Sequence, residues 1–265
     1  MKADVVSEFD ITAIITAHHE GTLVGLSLQS LIEAAEHAEA QGLRVERLAF
    51  MDRPNATTAA LLASRDDLKL AAEEVDFGDQ GKTRNAAAAR ARGRYVAFLD
   101  GDDLWSFNWL LEAYRLCETD PRIIAHPEFN CFFEGSNNIF MKMDMTDEKF
   151  DIDYQRIANY WDALCLAPHE AHARIPYADR AIAAGYAFED WQWNNETLEA
   201  GYVHRVVRDT VHFKRRRAGS QHSEAQRRGV LVRPTKVFGY AWTEREWEAG
   251  GKAGAPQPPP LFSQG

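Results

Sequence analysis

Over the first hundred residues, apolar β-branched runs alternate with helix-forming stretches, and this alternation limits the possible folds more than any other feature. Ile11 to Thr16 reads as a strand, and beyond the polar break His18-His19-Glu20-Gly21 a stripe of Leu28, Leu31, Ile32 and Ala35 recurs at helical spacing. Val45 to Met51 repeats the strand signal and ends at Asp52-Arg53-Pro54-Asn55, after which Ala56 to Ser64 reads as a short helix. Leu68 to Val75 is a third strand. After Gly78 and Gly81 the alanine-rich stretch Arg84 to Arg92 favours a helix that Gly93 breaks, and the apolar strand Tyr95 to Leu99 follows. Such an order predicts an α/β domain: a mostly parallel central sheet with helices on both faces, binding ligands outside the carboxyl ends of its strands.

Downstream the period changes. Ser106 to Cys117 reads as a helix, while Ile123 to Phe133 and Asn138 to Met143 suggest a small antiparallel or mixed addition to the sheet. Tyr154 to Leu164 and Glu189 to Ala200 are expected as helices, and Tyr202 to Val207 with Thr210 to Lys214 as a closing pair of strands. Val237 to Trp247 sets four aromatics among charges and reads as a terminal segment packed on the domain. From Ala249 onward glycine and proline dominate, so 249–265 is expected to be a flexible tail after a single domain over 1–248.

Composition removes several function classes. A length of 265 residues, 45% hydrophobic, supports a sizeable core, and a net charge of −10 argues against a general nucleic-acid binder. Lys214-Arg215-Arg216-Arg217 is a local exception, either a solvated run or a clamp for phosphates. Cys117, Cys131 and Cys165 are scattered and form no CxxC pair, so neither a disulfide framework nor a zinc site is indicated. With no signal-like start and no apolar stretch near the roughly 20 residues of a membrane span, a soluble cytoplasmic protein is expected.

The strand Tyr95 to Leu99 opens directly onto Asp100-Gly101-Asp102-Asp103, three carboxylates on one loop. Packed carboxylates repel unless protonated or bridged, and Mg²⁺ or Mn²⁺ is a natural partner alongside substrate phosphates.

Taken in order, these segments resemble the family 2 glycosyltransferases, inverting enzymes of the GT-A fold that move a sugar from a nucleotide diphosphate. The resemblance covers roughly Asp10 to Arg217. It divides the domain into a nucleotide-binding half, about 10–105, an acceptor-binding half, 106–217, and a C-terminal extension, 218–248. The opening strand and loop, Ile11 to Glu20, imply donor contacts from Ala17 and Glu20, with His18-His19 standing where relatives often carry Asn or Tyr. Phe50-Met51-Asp52 implies a nucleoside contact from Asp52, a residue that otherwise reads as a helix cap. The Arg84-Asn85 pair before its alanine-rich helix implies that Arg84 fixes the base or a phosphate through its planar fork. In the acidic motif Asp100 and Gly101 would face the ribose, Asp102 would bind the metal, and Asp103 would support the loop or share the ion.

Gly185 to Trp193 resembles the pattern that opens a helix beneath the acceptor, with Asp190 as catalytic base and Glu189 beside the acceptor. Both acids otherwise read as first-turn residues favoured by the helix dipole. Trp161 and Trp191, with Trp193 and Tyr186, are candidates to stack on a sugar ring or to fill the core. His212 is a candidate metal ligand with His222 as competitor, and Arg216 or Arg217 would meet the leaving diphosphate. The implied reaction is metal-dependent, inverting transfer from a UDP- or GDP-linked sugar to a hydroxyl of a glycan or glycoconjugate, as in polysaccharide biosynthesis. Two alternatives use the same residues: a phosphohydrolase built on Asp100-Gly101-Asp102, and a degenerate transferase that binds nucleotide sugar or glycan without turnover.

Overall fold

The computed structural model describes residues 7–216 and 227–238. Its first half follows the alternation: β1 (Phe9–Ala17), α1 (Val24–Glu39), β2 (Val45–Asp52), α2 (Ala56–Leu62), β3 (Leu70–Val75), α3 (Gln80–Arg90) and β4 (Gly93–Asp100). The second half adds β5 (Leu104–Trp105), α4 (Trp109–Cys117), β6 (Ile123–Glu134), β7 (Asn138–Met141), α5 (Ile152–Ile157), β8 (Leu166–Pro168) and α6 (His169–Arg174). It continues through β9 (Tyr186–Ala187), α7 (Glu189–Glu199), β10 (Val203–Arg216) and β11 (Leu231–Val232). The main sheet has the order β3-β2-β1-β4-β8-β6-β10-β5, with β7 beside β6. Pairing is parallel across β3, β2, β1 and β4 and again between β6 and β10, whereas β5, β7 and β8 run antiparallel to their neighbours.

Strand alternation sorts the core into two layers. Ile11, Ala13 and Ile15 of β1 and Tyr95, Ala97 and Leu99 of β4 pack with Leu28 and Leu31 of α1 and with Leu110 of α4. Ile14, Val96 and Phe98 point the other way, onto Ala87 and Ala88 of α3, Ala171 of α6 and Trp193 of α7. Two helix starts are fixed by short side chains: Asn55 Oδ1 accepts from Thr58 N at 2.9 Å, and Asp79 Oδ1 from Lys82 N at 2.9 Å. The second cap begins α3 at Gln80, four residues ahead of Arg84, and so places Arg84 in its second turn.

Three expectations need correction. The closing pair of strands is one continuous strand, β10, parallel to β6, with a register shift between Val207 and Val211. The irregularity is held by Asp209, at φ 60, whose N–H donates to Glu128 Oε2 at 2.8 Å, and by Thr210 Oγ1 donating to Val207 O at 2.7 Å. The helix expected over Tyr154 to Leu164 stops at Ile157, because side chains take over the next amides: Gln155 Oε1 accepts from Tyr160 N, and Asp162 Oδ1 from Leu164 N. Finally β8, absent from the sequence reading, wedges between β4 and β6 and meets β6 through the single pair Ala125 and Leu166.

Within the 218–248 stretch, the described residues return to the domain: β11 pairs with β9, and Val230 packs on Ala187 beside Ile182 and Phe188. The remainder of that stretch and the 249–265 tail lie outside the described residues. Among the described residues no helix is long and apolar enough to cross a membrane.

Candidate active site

The strand order reverses at β1, so the carboxyl ends of β1 and β4 border the crevice where open α/β sheets bind ligands, with Thr16 beside Asp100. Gly101 lets the turn after β4 lie against β1: its N–H donates to Thr16 O at 2.8 Å, and a Cβ there would stand 3.0 Å from Ala17 Cβ and 3.1 Å from Thr16 O. Asp100 gathers three donors on one oxygen, Oδ1, from Thr16 Oγ1 at 3.3 Å, Gln80 Nε2 at 2.8 Å and Arg84 Nη2 at 2.9 Å. Its other oxygen takes none of these bonds and can accept from a ligand hydroxyl.

Asp103 is committed inward. Its Oδ1 accepts from Arg215 N at 2.8 Å, and its Oδ2 stands 3.1 Å from His212 Nε2 and 3.8 Å from Lys214 Nζ. Burial opposes its charge, but Lys214, His212 and the Arg215 amide outweigh burial and hold the carboxyl below the usual range. Lys214 also reaches Asp162 Oδ2 at 3.2 Å, and the buried Lys142 donates to Asp162 Oδ1 at 2.7 Å. Two ammonium groups and two carboxylates thus alternate beneath the acidic turn. Sequence reasoning missed Lys142 and Asp162, although a single charge inside each apolar run, Ile139 to Met143 and Trp161 to Leu166, was the available signal.

Asp52, at the end of β2, spends both oxygens on the turn between β3 and α3: Oδ1 accepts from Phe77 N at 2.8 Å and Gly78 N at 3.0 Å, Oδ2 from Asp79 N at 3.0 Å. This turn-holding role was not anticipated for a residue expected at the nucleoside. At the rim, His18 N donates to Glu20 Oε2, His18 Nδ1 bonds Asp52 O, and the His18 and His19 rings stack at 3.8 Å.

From the opposite side comes α7. Its N-cap, Phe188, holds a left-handed backbone, φ 63 and ψ 54, which is strained for a bulky residue, and Glu189 and Asp190 occupy the first turn. Glu189 Oε1 meets Arg84 Nη1 at 3.3 Å, and Asp190 Oδ1 accepts from Trp191 N at 2.8 Å. Burial and the Asp190 charge push the Glu189 carboxyl up to about 7 against the pull of Arg84. Burial likewise raises Asp190, opposed by Arg84 and Lys214. Arg84 itself is enclosed, but Asp100 and Glu189 outweigh the penalty of burial and strengthen its hold on its proton.

The structure therefore draws Arg84, Asp100, Gly101 and Glu189 into one contiguous site, with Ala17, Glu20 and Asp52 along its β1–β2 rim and Asp102 and Asp190 next in chain to its members. Other candidates stand elsewhere. Trp161 is 3% exposed, its Nε1 donating to Met143 O and its ring stacked on His204 at 4.1 Å, so it fills core and does not face a ligand. Trp193 is likewise core, against His172. Trp191 is partly buried and donates to Gln155 O at 2.8 Å. His212 is fully enclosed, its Nε2 3.1 Å from Asp103 Oδ2 of the acidic turn. Arg216 lies over the Phe132 ring at 4.3 Å, and Lys214, not Arg216, is the member of the basic run whose charge acts on both Asp100 and Asp190. Arg217 and His222 fall outside the described residues.

Residues 12–175 match the family model described as glycosyl transferase family 2. No match is found among curated proteins. Among solved structures the chain is similar to S. aureus TarS 1-349 in complex with UDP-GlcNAc, with TM-score 0.62 and 17% identity over 81% of this chain and 60% of that one. It is also similar to the mannosyltransferase PcManGT from Pyrobaculum calidifontis in complex with GDP-Man and Mn²⁺, with TM-score 0.56 and 16% identity over 82% of this chain and 59% of that one. The chain thus spans about three fifths of the length of either relative.

Proposed function

We propose, from the premise that the chain belongs to glycosyl transferase family 2, that it transfers a sugar from a nucleoside diphosphate donor to a hydroxyl of a glycan or glycoconjugate, inverting the anomeric carbon. The observation that carries this reading is the Arg84 guanidinium, which bonds Asp100 of the acidic turn with one arm and Glu189 of the α7 first turn with the other. Two acidic centres thereby share one buried cation. A UDP- or GDP-linked donor is supported by the complexes of the two related folds.

Asp190 is the base in this reading. Its carboxylate takes the acceptor proton as the acceptor oxygen bonds the anomeric carbon, the bond from that carbon to the diphosphate oxygen breaks, and the configuration inverts in one displacement. Asp100 Oδ2 is suited to accept from a ribose hydroxyl. A divalent ion, Mn²⁺ or Mg²⁺, fits the oxygen donors of the turn: Asp103 is committed inward, and Asp102 would hold the ion alongside the substrate diphosphate. Among the described residues no trio of His, Cys, Asp or Glu side chains forms a ready cage. When bound, such an ion supplies Lewis-acid neutralisation of the departing diphosphate.

The test separates binding from chemistry. Asp190→Asn should retain Mn²⁺-dependent thermal stabilisation by UDP or GDP and lose transfer by roughly 10²-fold or more. Equal loss of both, or phosphate release from simple esters in place of transfer, would overturn the reading.

A further inference from the structure

We infer that Arg84 is a positioning residue that divides one positive charge between Asp100 on the donor side and Glu189 on the acceptor side, and so sets the readiness of the two α7 acids. This rests on the transferase reading above. The geometry comes first: the side chain is 4% exposed, Nη2 is 2.9 Å from Asp100 Oδ1, and Nη1 is 3.3 Å from Glu189 Oε1. A guanidinium keeps its charge under all ordinary conditions, and its planar fork can grip two carboxylates at once. Two anions share a single buried cation, so anything that engages Asp100 alters what Arg84 offers Glu189.

The surrounding contacts hold the bridge in register. Asn85, the next residue, bonds both backbone groups of Tyr177 at 2.8 Å, and Asp79 Oδ2 accepts from Arg180 N at 2.8 Å. At Gly81 a Cβ would stand 2.8 Å from Ala178 O and 3.4 Å from Glu189 Cγ, so only glycine lets α3 come this close. The Tyr177 ring lies beneath the Arg84 guanidinium at 5.7 Å. The cap and first two turns of α3 therefore pin the 177–180 segment that leads to α7. The left-handed Phe188 is an independent sign that the aim of the two acids is imposed by the fold.

The charges facing each acid give the direction of the test. Glu189 feels Asp190 on its own helix, Arg84 from α3 and Arg180 from the segment after α6. Asp190 feels Arg84, Asp162 from the turn before β8 and Lys214 from β10. Removing Arg84 withdraws a cation from both acids, whereas neutralising Asp100 leaves Arg84 to Glu189.

Carboxyl ¹³C NMR titration of the free protein reads this without turnover. In Arg84→Met the midpoints of Glu189 and Asp190 should rise by about one pH unit or more, and in Asp100→Asn that of Glu189 should fall. The acid limb of the transfer rate at saturating donor should move up with Asp190 in Arg84→Met. Midpoints unmoved in both variants, or a tenfold loss of UDP and GDP affinity in Arg84→Met with unmoved midpoints, would overturn the inference in favour of plain packing or direct nucleotide contact. Should Arg84→Met not fold, the downward shift of Glu189 in Asp100→Asn alone decides. Wild-type protein that titrates as expected and transfers no sugar would defeat the transferase reading, while transfer with immobile midpoints would defeat the bridge.

Discussion

Opposite signs of pH dependence meet within the site, and each can be measured on a single side chain. The Glu189 carboxyl sits near 7 in the folded protein against 4.5 ordinarily, so between those values the folded chain holds a proton that the unfolded chain has released. Its contribution to stability therefore falls as pH rises through that window. Glu189→Gln should raise stability at pH 8 by roughly 2 kcal/mol and change it little at pH 4.5, read as melting temperatures. Equal gains at both values would show that proton linkage is not the cause. Asp103 and Asp162 carry the other sign: their depressed carboxyls stabilise above the ordinary carboxylate range, and the gain is lost as pH falls through their folded values. Asp162→Asn strands the buried Lys142 and should cost about 3–5 kcal/mol at neutral pH by denaturant unfolding. A motif in order along the chain singles out Asp100, Asp102 and Asp190, and the structure brings Asp100 and the neighbour of Asp190, Glu189, together on Arg84. The partners of Arg84 were not legible in the sequence, since Asp100 and Glu189 lie 16 and 105 residues away.

At the scale of elements, close backbone approach decides two positions. A Cβ at Gly93 would stand 2.4 Å from Thr12 N and 2.6 Å from Ile11 C, both backbone of β1. Gly93→Ala should therefore destabilise by about 3 kcal/mol or more, or give insoluble protein. Gly81→Ala pushes instead on a loop, so the fold should survive while kcat drops and UDP or GDP affinity changes little, a split that steady-state kinetics with calorimetry will show. The first-half elements were readable because each carries its own period and punctuation, as at Gly93 and Asn55. The long β10 was not read as one strand, because its irregularity depends on Glu128 from a neighbouring strand. Three residues are too few for β8 to show a period at all.

For the whole molecule, the parallel sheet with helices on both faces was legible in outline, while the way its two parts join was not. Among the described residues, the four parallel strands that begin the chain reach β6 and β10 only through β8, whose ladder to β6 is the single pair Ala125 and Leu166. Side chains cross the gap where amides do not: Ile123, Ala125, Leu166 and Val207 share a core layer with residues of β1, β2 and β4. Native-state hydrogen exchange should find the Ala125 and Leu166 amides opening at lower free energy than those of Ile14 and Val96. Pulled from its ends in an optical trap, the molecule should tear at this splice before either flank unravels, because one rung resists shear far less than a ladder does.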